Sequence, residues 1–178
     1  MKLVKWFAPL FIALTFIACD DSNASFQTID VDGKFSIDVP DYMVELDLEN
    51  PDASFQYGNE MKEHYAMVIT ETHSELKEYG LEFDIESYAN LALDYLEMSI
   101  SNPQVIPTSD HVQTINGMEA LGYKIRGLFP ENNLEIFYYA MFYKSDEAFY
   151  YVTTWTLADR EERFIDNMEK IVQSIKEI

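Results

Sequence analysis

The chain has 178 residues and sets 12 Lys and Arg against 32 Asp and Glu, a formal net charge of −20. Such a surface repels phosphate backbones and anionic head groups, which disfavours nucleic-acid binding and electrostatic adhesion to membranes. Hydrophobic residues make up 48% of the chain, with 12 Phe, 12 Tyr and 2 Trp, enough to fill a core, so global disorder is excluded despite the charge.

Residues 1–18 open with Lys2 and Lys5 and run apolar from Trp6 to Ala18, interrupted only by Pro9 and Thr15. A helix over that run would rise about 20 Å, short of the ~30 Å hydrocarbon core, so the segment reads as a secretion signal rather than a membrane span. Phe16-Ile17-Ala18-Cys19 resembles the bacterial lipobox, although Phe16 stands where Leu is usual. The resemblance implies cleavage before Cys19, the only cysteine, and diacylation of its sulfur. Each buried methylene contributes ~0.8 kcal/mol, so two or three acyl chains would anchor the domain without any basic patch. Loss of Lys2 and Lys5 leaves 10 basic against 32 acidic residues, net −22. Residues 19–25 then form a short polar tether. Asp20 and Asp21 admit two readings, a sorting signal similar to that of some Gram-negative lipoproteins or a merely solvated linker. The expected location is the cell envelope, lipid-anchored to the outer membrane on its periplasmic or surface face, with the leaflet open.

Residues 26–178 fit one domain. Phe26–Val31 and Lys34–Val39 alternate around Asp32-Gly33, a pair suited to the positive dihedrals of a hairpin turn. Asp30-Val31-Asp32-Gly33 is also similar to the opening of a calcium loop, but the later ligands do not follow in register. Strands are predicted at Ala53–Tyr57 and His64–Thr72, and the charged stretch His73–Glu82 reads as a surface loop. Asp84 can cap a helix to about Ser101, with Ile85, Tyr88, Ala89, Ala92, Tyr95 and Leu96 at offsets of three and four, and Pro103 stops it.

An irregular piece containing Pro107 follows, then a strand at His111–Ile115 and the hairpin pair Asn116-Gly117. Three long strands come next, Met118–Phe129, Leu134–Lys144 and Ala148–Leu157, joined by turns short enough to make them antiparallel neighbours. Asp159 and Glu162 form a capping-box-like pair for a last helix, predicted to run to the end of the chain with Phe164, Ile165, Met168, Ile171, Val172 and Ile175 in one stripe. In Leu134–Lys144 both faces are apolar, so that strand is expected to be central, with helices on both sides. The fold class is therefore α+β, an antiparallel sheet sandwiched by helices.

Phe35-Ser36-Ile37-Asp38-Val39-Pro40, Ile115-Asn116-Gly117-Met118-Glu119-Ala120 and the helix Phe164–Ile175 occur in an order that resembles the PsbP-like fold family, which includes photosystem extrinsic subunits, DcrB-like bacterial lipoproteins and a small yeast protein that binds the GTPase Ran. The resemblance spans roughly 26–178 and implies an α/β/α sandwich. It implies no catalytic residue, because the family shares no catalytic motif, and fold alone does not transfer a role.

Chemistry is sparse. His64, His73 and His111 do not cluster in sequence, and His64 and His73 should sit near opposite ends of one strand, roughly 30 Å apart. They read as surface or strand-end histidines, with no metal site. No His-Glu-x-x-His, Cys-x-x-Cys, phosphate-cradling glycine loop or Gly-x-Ser-x-Gly elbow occurs, so neither a catalytic group nor a cofactor is expected. The informative feature is aromatic: Tyr138, Tyr139, Tyr143, Tyr150, Tyr151 and Trp155 fall on two adjacent strands, with Lys124 and Arg126 on one face of the strand before them. They can fill a wide core with hydroxyls at the rim, or line a groove in which Tyr139, Tyr151 and Trp155 supply contact area while Lys124 and Arg126 orient an acidic group. The expectation is a non-catalytic envelope lipoprotein with an interaction or accessory domain, its partners the membrane through the lipid and an envelope protein. The alternative is a small-ligand or peptide binder using the aromatic strands.

Overall fold

The computed structural model describes residues 24–178, so Cys19 and the leader lie outside the described residues. The first hairpin is β1 (Phe26–Val31) and β2 (Phe35–Pro40). Asp32 and Gly33 take φ of 54° and 66° as the Asp-Gly pair predicts, and Lys34 N–H closes the turn on the Val31 carbonyl at 3.0 Å. The chain then builds β3 (Val44–Glu45), β4 (Ala53–Asn59), β5 (His64–Thr72), α1 (His73–Glu78), α2 (Ile85–Ser99), β6 (Ser101–Pro107), β7 (Gln113–Ile115), β8 (Met118–Leu128), β9 (Glu135–Lys144) and β10 (Ala148–Leu157). After a 3-10 turn at Ala158–Arg160 come α3 (Glu161–Gln173) and β11 (Lys176–Glu177).

Strands β3 to β10 form one sheet in the order β3-β4-β5-β10-β9-β8-β6, with β7 paired to β8; β1, β2 and β11 form a second, three-stranded sheet. Every pairing is antiparallel. Strand β9 lies in the interior of the sheet, between β10 and β8, as its two apolar faces require. Phe137, Tyr139, Met141 and Tyr143 point into a core shared with α3 and the small sheet, while Ala140 and Phe142 point into a second core under α2. Phe26 packs on the α3 side. The result is an α+β sandwich with helices on both faces of the large sheet.

Local chemistry explains each helix. Asp84 caps α2 by accepting from the Ser87 N–H at 2.8 Å, and Ile85, Tyr88, Ala89 and Leu93 form its buried stripe. Phe164, Met168, Ile171 and Val172 of α3 are fully buried, each worth roughly 1.5–3 kcal/mol relative to exposure.

Four expectations are corrected. His73–Glu82 is not all loop: Thr72 and Glu75 form a reciprocal capping box that starts α1. The irregular piece around Pro103 and Pro107 is β6, an edge strand whose register shifts between Ser101 and Gln104, where a proline costs no ladder bond. Asp159 and Glu162 do not cap α3, whose N-cap is Arg160 without a side-chain bond. Nor does α3 end with the chain: Lys176 and Glu177 pair with Ser36 and Phe35, and the Ile178 N–H donates to the Lys34 carbonyl at 3.0 Å.

Candidate functional site

Strand register decides where the aromatic residues go. Tyr139 opposes Thr154 on β10 and Lys124 on β8, so it faces α3 and is 3% exposed. Lys124 Nζ sits 5.3 Å from the Tyr139 ring centre, and the Arg126 guanidinium 5.6 Å from that of Phe137. Arg126 is also paired with Glu161 of α3 and lies 3.9 Å from Glu135. Tyr151 and Trp155 have the opposite parity and face α2. The five residues Tyr139, Tyr151, Trp155, Lys124 and Arg126 are thus divided between two faces, and a single groove lined by all of them is not formed.

The α2 face carries the open surface. Helix α2 lies over β8 and β9, and α1 lies beside β5. On this face of the sheet Tyr65, Met67 and Ile69 of β5, Tyr151 and Trp155 of β10, and Tyr138 of β9 stay half-buried. Tyr65 stacks on Trp155 with ring centres 5.4 Å apart, and Tyr151 stacks on Phe142 at 4.8 Å. Toward the helices this face deepens into a cleft of about 600 Å³. Ile69, Tyr151 and Tyr88 form its base, Leu76 and Leu91 its apolar walls, and Tyr79 and Tyr95 its mouth. Tyr79 is 81% and Tyr95 67% exposed, an arrangement that leaves apolar area available to a ligand.

Carboxylates edge the cleft. Tyr88 Oη donates to Glu71 Oε2 at 2.7 Å, and the Tyr88 ring stacks on Phe149 at 4.3 Å, so the Glu71 carboxylate is held in place. Burial and the Glu71 bond push the Tyr88 phenol well above its ordinary range. Burial raises Tyr151 to about 12, and burial with a hydrogen bond to Glu63 does the same for Tyr65. These phenols stay neutral donors across physiological pH.

His64 is not a surface histidine: it is fully buried on the α3 side. Thr154 Oγ1 gives its proton to the Tyr65 carbonyl at 2.6 Å, so the His64 Nε2 at 3.1 Å donates to Thr154, and Nδ1 lies in hydrogen-bond contact with Tyr42 Oη at 2.8 Å. His73 Nε2 meets the Ser145 carbonyl at 2.9 Å, and His111 lies beside Ser109, so the three rings have separate structural partners. Among the described residues no three His, Cys, Asp or Glu side chains converge as a metal site, and no described helix is long and apolar enough to cross a membrane.

No family model and no curated protein matches the sequence. Solved structures do match. The solution structure of cyanobacterial PsbP (CyanoP) from Synechocystis sp. PCC 6803 aligns with a TM-score of 0.59 at 12% identity, over 87% of this chain and 94% of that one. LpqN, involved in cell envelope biogenesis of Mycobacterium tuberculosis, aligns with a TM-score of 0.57 at 13% identity, over 87% and 91%. The chain therefore has the PsbP-like fold. At these identities the likeness extends to architecture alone.

Proposed function

We propose that this chain is a non-catalytic binding or accessory domain of a bacterial cell envelope, held to the membrane through an acylated Cys19, and that the open α2 face is its working surface. The observation that carries this reading is the cleft itself: its lining of rings, aliphatic side chains and carboxylates suits holding a ligand. The envelope assignment draws on the lipobox-like Phe16-Ile17-Ala18-Cys19 and on a fold shared with an envelope-biogenesis protein. The cleft's size favours a small ligand over a long peptide.

Two measurements test the reading. Mass spectrometry of the mature amino terminus should show acylated Cys19, and Cys19→Ala should release the protein from membranes; an unmodified terminus refutes the anchor. A photo-crosslinking residue at position 95 should yield a discrete adduct in intact cells, whereas the same residue at exposed position 106 on β6 should not. Equal labelling at both positions refutes the working surface.

A further inference from the structure

We propose that the cleft between α1, α2 and strands β5 and β10 takes an amphiphilic organic cation, its apolar body seated on Tyr151, Ile69 and Leu76 and its ammonium held at Glu71 and Glu75. This rests on the reading of the α2 face as the working surface and adds the chemical class of the ligand.

The volume of about 600 Å³ falls in the range of clefts that enclose small organic molecules. The charged side chains that line it have one sign, with Lys34 acting on Glu75 from outside the lining. Asp52, Glu71 and Glu75 line the cleft and no Lys, Arg or His does. An anion would face three carboxylates with Lys34 as the opposing charge, and a neutral ligand would cover carboxylates without neutralising them. Glu71 is already oriented by Tyr88, and Glu75 is fixed through Oε2 by the Thr72 backbone N–H and hydroxyl at 3.0 and 2.7 Å. Each carboxylate keeps a second oxygen outside those bonds, so a donor can be met by groups whose ordering cost has been settled in folding. The exposed rings of Tyr79 and Tyr95 add the π-attraction that an ammonium with apolar substituents uses and a hydrated metal ion does not.

The test uses the mature chain and three probes of matched shape: 4-phenylbutylammonium, 4-phenylbutanol and 4-phenylbutyrate, titrated by calorimetry and amide NMR. The ammonium should bind about five-fold or more tighter than the alcohol, with the butyrate weakest, and added salt should narrow the gap. Shifts should fall on α1, α2, β5 and β10. Glu71→Gln keeps an acceptor for Tyr88 and should cut only the ammonium's affinity, by about three-fold or more. Glu75→Gln, which also preserves a capping box, should act in the same sense. Tyr95→Ala should weaken the ammonium and alcohol alike. Equal binding of ammonium and alcohol, or tightest binding of the butyrate, overturns the cation assignment while leaving the cleft as a binding surface. Binding by none of the three, or shifts elsewhere, also overturns it, and crosslinking from position 95 then judges the working surface independently.

Discussion

Removing one oxygen atom, by Tyr143→Phe, tests how the end of α3 is held to β9. The Tyr143 ring is fully buried in the α3-side core, and its hydroxyl donates to the Val172 carbonyl at 2.6 Å. Helix α3 ends at Gln173, so Val172 lies in the last turn, where carbonyls have no intrahelical donor. Phenylalanine retains the packing of the ring and leaves that buried carbonyl without Tyr143. The cost of an unmet buried acceptor is about 1–3 kcal/mol, which for a domain of this size lowers Tm by about 4–8 °C at the middle of that range. Thermal unfolding followed by circular dichroism measures the loss, and hydrogen exchange should place it at residues 173–178. Asn116 supports the same terminus, its amide donating to the carbonyls of Gln173 at 2.9 Å and Ile175 at 2.8 Å. Asn116→Gly, which keeps the positive φ of 51° and removes the amide, should therefore resemble Tyr143→Phe, with a double variant that is less than additive. An unchanged Tm for Tyr143→Phe, or faster exchange confined to other segments, would refute the assignment of Tyr143 as a helix-end donor.

Other outcomes follow from the same contacts. A Cβ on Gly122 would run into Met141 Sδ and Thr108 Oγ1, so Gly122→Ala should cost about 1–3 kcal/mol in denaturant unfolding. Thr72→Ala removes the N-cap of α1 and should cost about 1 kcal/mol, with faster amide exchange over residues 73–78 and little change in β9. The pH dependence has a definite sign at the alkaline end. Burial raises the Tyr151 phenol from 10.0 to about 12, so its neutral form is favoured by folding. That contribution is complete below pH 10, where the unfolded phenol is also protonated, and is lost as pH rises toward 12. Stability should fall over that window, less steeply in Tyr151→Phe; an identical slope in the variant would contradict the assignment.

Much of the sandwich was legible because alternation and turns reinforce each other. The two apolar faces of β9 announced a central strand, and Asn116-Gly117 adopts φ of 51° and 86° where a hairpin was expected. Helix α1 escaped because six residues with one buried side chain, Leu76, make no periodic stripe; the spacing Thr72-x-x-Glu75 was its available signal. β6 escaped because Pro103 and Pro107 argue against a strand except at an edge, and edge position is a tertiary fact. The division of the aromatic residues depended on pairing register. Opposing Tyr139 to Thr154 requires the actual length of the turn before Ala148, and a slip of one residue would have exchanged the faces. The cleft unites residues far apart in the chain, from Asp52 to Tyr151, and could not be seen as a run in the sequence.

Phe26, where the first strand begins, packs with α3 and the small sheet, behind the face that holds the cleft. A leash attached upstream of that strand, as proposed for Cys19, would pull on the back of the domain and leave its mouth pointing away from the point of attachment. Surface immobilisation through the amino end should accordingly leave ligand access intact, whereas coupling through Tyr95 should block it.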